Sequence, residues 1–438
     1  MNIEKIFYII LSTALVTVFI LFTFIFSTDG LNPGKSVKQK TIYFVDNISS
    51  AHQKVIDIFN ERNKGLIKVE TINLSFEKFS TNERKELLAR YLRSKNNRID
   101  IFSVDQIWVP RFAKWSVTLQ NYFDSAEIKN IIPSALKTCY TDNQLLAVPL
   151  YLDVAVMFYR DDLLKKQKDY KQIIAELDSS ITWEKFISLN NKAANSAEKR
   201  FIFQADAYEG LLCQFTELMD NQNNPIINGD KKILINTAEG KKALQLLVDL
   251  VDKYKISPAE VTHLKENESY KLFSNNDALF VRGWSSTYDD ENDYLSADKQ
   301  KNVKMAPTPY FTGTKPSSVY GGWNLMISKF SEKIPEVVKF AKFLLSEESQ
   351  KIMYEEQKYL PIVSSVYTDT NFTNTYPELE FYRRLFGSGV HRPFLEEYTN
   401  VSDILSHYIN LAIKKEISVN DALSEAEKKI NEKIISAK

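Results

Sequence analysis

The alternation of strand-like and helix-like segments constrains the fold of this chain more than any other feature of its sequence. Short β-branched and aromatic runs occur at residues 41–46, 67–74 and 99–104, and amphipathic stretches at 51–63 and 83–95 separate them. Strands that alternate with helices of this length form a mostly parallel sheet covered by helices. The sequence therefore predicts an α/β fold in which ligands bind beyond the carboxyl ends of the strands.

The rest of the chain continues the same mixture of strands and helices. Residues 145–151 and 154–159 read as two strands, with Pro149 marking an irregularity, and residues 278–281 as another. Helical periodicity covers residues 183–197, 208–219, 237–255, 334–346, 349–356 and 401 to the end. The simplest interpretation is a second α/β lobe that begins near Pro149.

An apolar stretch precedes this body. Residues 6–26 contain no charged side chain, and at about 1.5 Å per residue they match the ~30 Å hydrocarbon core of a bilayer. We predict one N-terminal membrane-spanning helix that is retained as an anchor, with residues 27–40 as a polar linker to the body. A cleaved secretory signal with a weak cleavage site near Thr28-Asp29-Gly30 is the main alternative, and a buried core helix is a third.

Charge and composition exclude several classes of protein. Lys and Arg number 56, as do Asp and Glu, so the chain has no positive excess with which to bind nucleic acid. Two cysteines, and four histidines without HxH or HExxH spacing, predict neither a metal site nor a cofactor. Cys139 and Cys213 could form a disulfide in an oxidising compartment or stay two separate buried thiols, and both alternatives are open.

Aromatic and acidic residues gather at loop-like points of the predicted fold. Such mixtures suit sugars, because their C–H faces stack on rings while carboxylates accept hydrogen bonds from vicinal hydroxyls. The residues concerned are Asp105, Trp108, Tyr151, Asp153, Trp284 and Trp323. Each tryptophan could instead fill the core, and Asp105 could cap a helix.

Two further motifs have a functional and a structural interpretation. In Gly321-Gly322-Trp323-Asn324 the glycines allow close backbone approach or a positive φ, although a plain turn is an alternative. Tyr208-Glu209-Gly210 precedes a helix whose free N-terminal amides could face a hydroxyl or an anion, or simply be capped.

These elements, in this order, resemble the family 1 extracellular solute-binding proteins of ABC sugar importers, in particular the trehalose/maltose-binding branch. The resemblance runs over about residues 41–430. It is carried by the segments at residues 99–113, 147–164, 203–211, 280–284, 321–324, 360–361 and 392–393. The resemblance implies a periplasmic-binding-protein type II fold: two α/β lobes joined by a hinge, with a sugar in the interlobe cleft. Lobe 1 would combine residues 41–147 with 302–347, and lobe 2 would combine 148–301 with 348–438.

The resemblance also assigns roles to individual residues. Asp105 would accept sugar hydroxyls, Trp108 would line the same wall, Tyr151 and Asp153 would contact the sugar near the hinge, Trp284 and Trp323 would stack on pyranose rings, Gly322 would offer backbone contacts, and Arg392 would donate hydrogen bonds. The chain departs from the pattern at Ser285 and Ser286, which follow Trp284 where aromatic residues are common. It also lacks the arginine expected after Leu360-Pro361. These departures prevent the transfer of a disaccharide specificity.

The resulting hypothesis is a monomeric, membrane-tethered receptor outside the cytoplasm that closes on a disaccharide or oligosaccharide and delivers it to ABC permease subunits. A sugar-sensing module for a membrane signalling partner is the first alternative. A glycoside hydrolase, with Asp105 and Asp153 flanking one bond, is the second. No hydrolase motif is present, so we expect the chain not to be an enzyme.

Overall fold

The computed structural model describes residues 12–18, 38–75, 78–79, 81–95, 97–192, 200–228, 232–276, 278–287 and 301–436. Residues 12–18 are helical, and the rest of the predicted N-terminal span at 6–26 lies outside the described residues. None of the helices within the described ranges combines the length and the apolar character that crossing a bilayer requires.

The strands of the described residues form one large mixed sheet and a small hairpin. They are β1 (Lys40–Asp46), β2 (Ile67–Asn73), β3 (Ile101–Asp105), β4 (Tyr140–Thr141), β5 (Gln144–Leu145), β6 (Val148–Arg160), β7 (Phe201–Ile202), β8 (Phe280–Trp284), β9 (Val303–Ala306), β10 (Ser318–Ile327) and β11 (Gly389–Val390). The large sheet has the order β2-β1-β3-β10-β6-β8-β7, with β11 beside β10 and β9 beside β6, and β4 pairs with β5.

Helices cover the sheet and fill the later part of the chain. They are α1 (Ser50–Arg62), α2 (Thr81–Arg93), α3 (Val109–Phe112), α4 (Ser125–Lys129), α5 (Pro133–Lys137), α6 (Asp161–Leu164), α7 (Tyr170–Asp178), α8 (Trp183–Lys192), α9 (Glu209–Asn221), α10 (Ala238–Val251), α11 (Glu266–Asn275), α12 (Ile334–Leu344), α13 (Glu347–Gln357), α14 (Ser364–Thr368), α15 (Thr370–Thr375), α16 (Glu378–Leu385), α17 (Tyr398–Ile413) and α18 (Val419–Ser436). The helical stretch predicted from residue 401 to the end forms two helices, α17 and α18, which are separated by a turn in which Lys415 has a φ of 64°.

The predicted β–α–β–α–β order at the start of the body is confirmed. β1 lies between β2 and β3 and is parallel to both, and α1 and α2 connect the three strands. The apolar residues of β1 are buried on both faces, as expected for a parallel strand covered by helices. Because parallel strands share an orientation, the carboxyl ends of β1 and β3 lie at the same edge of the sheet.

The long strands β6 and β10 pair with each other in the middle of the sheet. The first residues of β6 pair with β10 next to β3, and residues 155–160 pair with β8 and β9. The prediction of two strands here is wrong. Leu152 and Asp153 pair with Gly322 and Gly321, so β6 continues without a break. The irregularity expected at Pro149 is present as a register shift between Trp323 and Asn324.

We call β1–β3, with residues 148–151 and 323–327, the first part of the sheet, and β7–β9, with residues 154–160 and 318–321, the second part. The lobe boundaries of the sequence analysis stay a prediction. Two contacts join segments that were predicted to lie in different lobes. β9 pairs with residues 157–160 of β6, and α13 packs on α1, where Arg62 binds Glu348.

The two cysteines are not bonded to each other. Both thiols are free and buried, so the disulfide alternative is wrong. Cys139 belongs to the largest core cluster, whereas Cys213 on α9 packs with Ala155 and Val319 in another. Two small apolar side chains in separate parts of the core have no means of forming a bridge.

Candidate functional site

The carboxyl ends of β1 and β3 each present a buried aspartate, Asp46 and Asp105. Asp105 precedes a short 3₁₀ turn at Gln106–Trp108, and its Oδ1 accepts a hydrogen bond from the Ile107 amide at 3.3 Å. The capping interpretation is therefore confirmed. The same oxygen also accepts a hydrogen bond from Arg392 Nη2 at 2.7 Å, so capping is only part of its role.

Arg392 links Asp105 to a second carboxylate, that of Glu209. Its Nη1 donates to Glu209 Oε1 at 2.6 Å, and only 2% of the arginine side chain is exposed. Glu209 is the first residue of α9 and also accepts hydrogen bonds from Tyr398 and Ser402 of α17. Burial alone would lower the Arg392 pKa, but Asp105 and Glu209 outweigh it and raise this pKa well above its ordinary value. The guanidinium is therefore a permanent positive charge inside the protein.

The tryptophans of the first part of the sheet contact each other. Trp108 and Trp323 meet edge to face, with ring centroids 6.1 Å apart. The Arg84 guanidinium lies 4.3 Å from the Trp323 ring centroid, and its Nη2 donates to Asp46 Oδ1 at 3.0 Å. Trp108 is only 4% exposed, whereas Trp323 is half-buried. Of the two rings, Trp323 is the one that can present a surface to a ligand.

Tyr151 belongs to a stack of rings beside Asp46. Its ring lies parallel to Tyr359, with centroids 4.1 Å apart, and His52 lies 5.4 Å from Tyr359. Burial raises the pKa of Tyr151 and lowers the pKa of His52, so both groups are uncharged at neutral pH. Since one face of Tyr151 is covered by Tyr359, its remaining surface is what a ligand can contact.

The paired glycines lie within β10, so the plain-turn alternative is wrong. Gly322 has a φ of +118°, and a Cβ there would lie 2.5 Å from the carbonyl oxygen of Tyr151. A Cβ at Gly321 would lie 2.9 Å from the Trp284 ring. The pair thus permits both the backbone conformation and the approach of Trp284 to the strands. We call the stretch where residues 151–154 of β6 pair with residues 320–323 of β10 the strand crossing.

Asp153 lies at the strand crossing and is held by the two serines that follow β8 and by the amide of its neighbour Val154. Ser285 Oγ, the Ser286 amide and the Val154 amide donate to its Oδ1, and Ser286 Oγ donates to its Oδ2. Burial raises the pKa of this carboxyl group, while the four hydrogen bonds act in the opposite direction. These donors are neutral, unlike the guanidinium that binds Asp105.

All the residues predicted for the site lie along the crossing of β6 and β10. Asp105 binds Arg392, Trp108 contacts Trp323, and Trp323 pairs with both Asp105 and Tyr151. Trp284 approaches Gly321, which pairs with Asp153. Gly322 follows Gly321 in β10 and precedes Trp323. The part of the chain that the structure describes contains no cluster of His, Cys, Asp or Glu arranged to hold a metal ion.

Four residues of this region escaped the sequence analysis: Asp46, His52, Arg84 and Tyr359. Asp46 could have been found, since it ends a parallel strand as Asp105 does. Arg84 could not, because a charged residue in an amphipathic helix is typical of a solvated face. Glu209 was noticed only as part of a helix start, and its role as a partner of Arg392 has no local signal.

Residues 54–380 match the bacterial extracellular solute-binding protein family. The chain belongs to this family. The family predicted from the sequence motifs is thereby confirmed, as is the expectation that the chain is a binding protein and not an enzyme. A family of extracellular proteins also implies that the body lies outside the cytoplasm.

Individual similar proteins show how far the likeness extends. A probable ABC transporter-binding protein of Deinococcus radiodurans is 25% identical over 348 residues, which is 78% of this chain and 82% of the relative. Maltose-bound MalE3 of T. maritima is 26% identical with a TM-score of 0.79, and the match covers 89% of this chain and 98% of MalE3. A solute-binding protein of Thermotoga lettingae with α-D-tagatose has 21% identity, a TM-score of 0.76, and coverage of 90% and 99%. The fold is therefore that of the periplasmic binding proteins.

Proposed function

We propose that this protein is a sugar receptor outside the cytoplasm, which closes on a carbohydrate and delivers it to an ABC permease. The observation that carries the proposal is the convergence of Trp323, Tyr151, Asp105, Asp153 and Arg392 on the crossing of β6 and β10. Rings beside buried carboxylates and a guanidinium provide both the stacking surface and the hydrogen-bond partners that a sugar requires.

Closure would come from the movement of two lobes about this crossing. β6 and β10 are the strands shared by both parts of the sheet, so they are the natural hinge. Contacts to a sugar from both sides, Asp105 in the first part and Asp153 at the boundary of the second, would exist only in the closed form. Affinity would then reflect the difference in contacts between closed and open states.

The comparisons with known proteins support transport better than sensing. A relative of similar length is named as a probable ABC transporter-binding protein, and MalE3 is bound to maltose. We infer that residues 6–26 tether the receptor to the membrane as a single span, which would keep it at a high effective concentration beside the permease. The receptor would act as a monomer, with one sugar for each chain.

A thermal-shift screen tests the binding step. The probes are maltose, trehalose, D-tagatose and ribitol. Structurally similar proteins are bound to maltose, tagatose and ribitol. A sugar present at 100 times its dissociation constant stabilises the folded protein by about 2.7 kcal/mol, which is measurable as a rise in Tm. Isothermal titration calorimetry then gives the affinity. If neither these probes nor a wider panel of mono- and oligosaccharides raises Tm or releases heat, the proposed carbohydrate function is wrong.

Delivery needs a separate test. The full-length protein and the ABC permease encoded by neighbouring genes are reconstituted in vesicles, and uptake of the sugar found in the screen is followed. A variant without residues 1–37 should bind that sugar equally well but support slower uptake at the same total concentration. Equal uptake by both forms would contradict the tether.

A further inference from the structure

Ser285 and Ser286 follow β8 at the positions where the sequence departs from the pattern of sugar-binding relatives. Both hydroxyl groups donate to the same carboxylate: Ser285 Oγ to Asp153 Oδ1, and Ser286 Oγ to Asp153 Oδ2 at 2.5 Å. The loss of an aromatic surface after Trp284 is therefore accompanied by a new polar contact with a residue of the candidate site.

The two serines differ in their surroundings. Ser285 is fully buried, and its oxygen also accepts a hydrogen bond from the Val154 amide at 3.2 Å, which fastens the end of β8 to β6. Ser286 is partly exposed, and its amide adds a further hydrogen bond to Asp153 Oδ1 at 3.2 Å. Ser285 thus sets the position of the pair, and Ser286 is the member that a ligand can reach.

The acceptor capacity of Asp153 is almost used up by these contacts. A carboxylate offers about four lone-pair positions, two on each oxygen. Oδ1 already accepts hydrogen bonds from Ser285 Oγ, the Ser286 amide and the Val154 amide, whereas Oδ2 accepts one from Ser286 Oγ. Oδ1 is saturated, whereas Oδ2 has one partner among the described residues and keeps one open position there.

We propose that Ser285 and Ser286 are positioning residues that fix Asp153 so that its Oδ2 reads a single hydroxyl group of the bound sugar. This inference rests on the proposed carbohydrate function. It replaces the bidentate contact with vicinal hydroxyls, which the residue type alone had suggested, by contact with one hydroxyl. The second part of the site then selects the sugar by one directional hydrogen bond, and Trp284 supplies its ring surface.

Calorimetry with Ser286→Ala, Ser286→Thr and Asp153→Asn tests the proposal, with the tightest-binding sugar among maltose, trehalose, D-tagatose and ribitol as the probe. Ser286→Ala removes one hydrogen bond and should weaken binding about three- to tenfold, whereas Ser286→Thr keeps the hydroxyl and should restore affinity. Ser179→Ala is the matched control, since this exposed serine donates to the Ala175 and Glu176 carbonyl groups of the helix that it follows. Thermal unfolding without sugar shows that each variant is folded.

A pH profile separates positioning of the charge from simple packing. Hydroxyl donors favour the charged carboxylate, so the acid limb of binding should move to higher pH in Ser286→Ala and return in Ser286→Thr. Among the described residues, the titratable groups that face Asp153 are Tyr151 and Tyr382, and burial raises the pKa of both, so neither titrates in this range. Asp153→Asn should abolish this acid limb and weaken binding about tenfold.

Monodeoxy derivatives of the same sugar identify the hydroxyl that Asp153 reads. In double-mutant cycles with Asp153→Asn, one hydroxyl position should couple and the others should not. Coupling at two positions, equal affinities and pH profiles for wild type and Ser286→Ala, or a failure of Ser286→Thr to restore binding would each overturn the inference. If the wild type binds no probe at all, the proposed function fails first, and the two failures are therefore distinguishable.

Discussion

The two buried aspartates that flank the strand crossing are neutralised in different ways. Asp105, in the first part of the sheet, binds the Arg392 guanidinium at 2.7 Å. Asp153, where the second part begins, is surrounded by two serine hydroxyls and two backbone amides. Similar residues in one sheet thus depend on a full positive charge in one place and on neutral dipoles in the other.

The difference determines how each region responds to change. Removing one partner of a buried ion pair leaves an uncompensated charge and costs about 3–5 kcal/mol. Removing one of several neutral donors costs about 0.5–1.5 kcal/mol, because the other donors remain. The Asp105 region is therefore the part of the site that tolerates substitution least, and the Asp153 region is the one that substitutions can adjust gradually.

The largest effect is expected from Arg392→Met. The variant leaves Asp105 and Glu209 buried without their guanidinium, and the free energy of unfolding should fall by about 3–5 kcal/mol, measured by urea denaturation at pH 7. Lys415→Met is the control, since it breaks an exposed ion pair with Asp252 and should cost no more than about 1 kcal/mol. Equal losses in the two variants would show that the buried charge has no special role.

Trp323→Ala should have the next largest effect, on binding rather than on folding. Removing the half-buried ring deletes the stacking surface between Arg84 and Trp108, so affinity for the sugar found in the screen should fall about tenfold or more. Calorimetry measures the change. Trp115→Ala removes another half-buried tryptophan, which packs on Phe112, and should leave affinity unchanged. Unchanged affinity in Trp323→Ala would remove this ring from the site.

Asp153→Asn should have the smallest effect on stability, and with the opposite sign. Because burial raises the Asp153 pKa, the charged form is disfavoured in the folded protein, and stability is lost as pH rises from about 4 through the raised pKa. The amide avoids this cost, so the free energy of unfolding of the variant should exceed that of the wild type at pH 7, by on the order of 1 kcal/mol, but not at pH 4. A difference independent of pH would contradict the assignment of the charge.

Much of the fold could be predicted from local pattern. The strands and helices up to Asp105 follow from apolar periodicity, and their observed ends differ from the predicted ones by one or two residues. β6 is predicted as two strands, because the strand-like runs 145–151 and 154–159 leave out residues 152 and 153. Pairing with β10 supplies the contacts that keep these residues in place, and no local pattern encodes such pairing.

The site could be predicted less completely. Asp105 and Trp108 follow from the rule about strand ends, and the glycine pair from its conformational freedom. The partners of these residues did not follow. Arg392 and Glu209 are 183 positions apart, and Ser286 and Asp153 are 133 positions apart. Hydroxyl and guanidinium groups carry no signal of what they will contact, so their roles become visible only when the chain is folded.

The Arg392 bridge has a consequence for the lifetime of a complex. Arg392 follows β11, which pairs with the second part of the sheet, so opening would leave it with Glu209 and detach it from Asp105. Water would reach Arg392 and Asp105 only after their buried ion pair has broken. Escape of a trapped molecule would therefore be slow and nearly independent of ionic strength, because dissolved salt screens buried charges poorly.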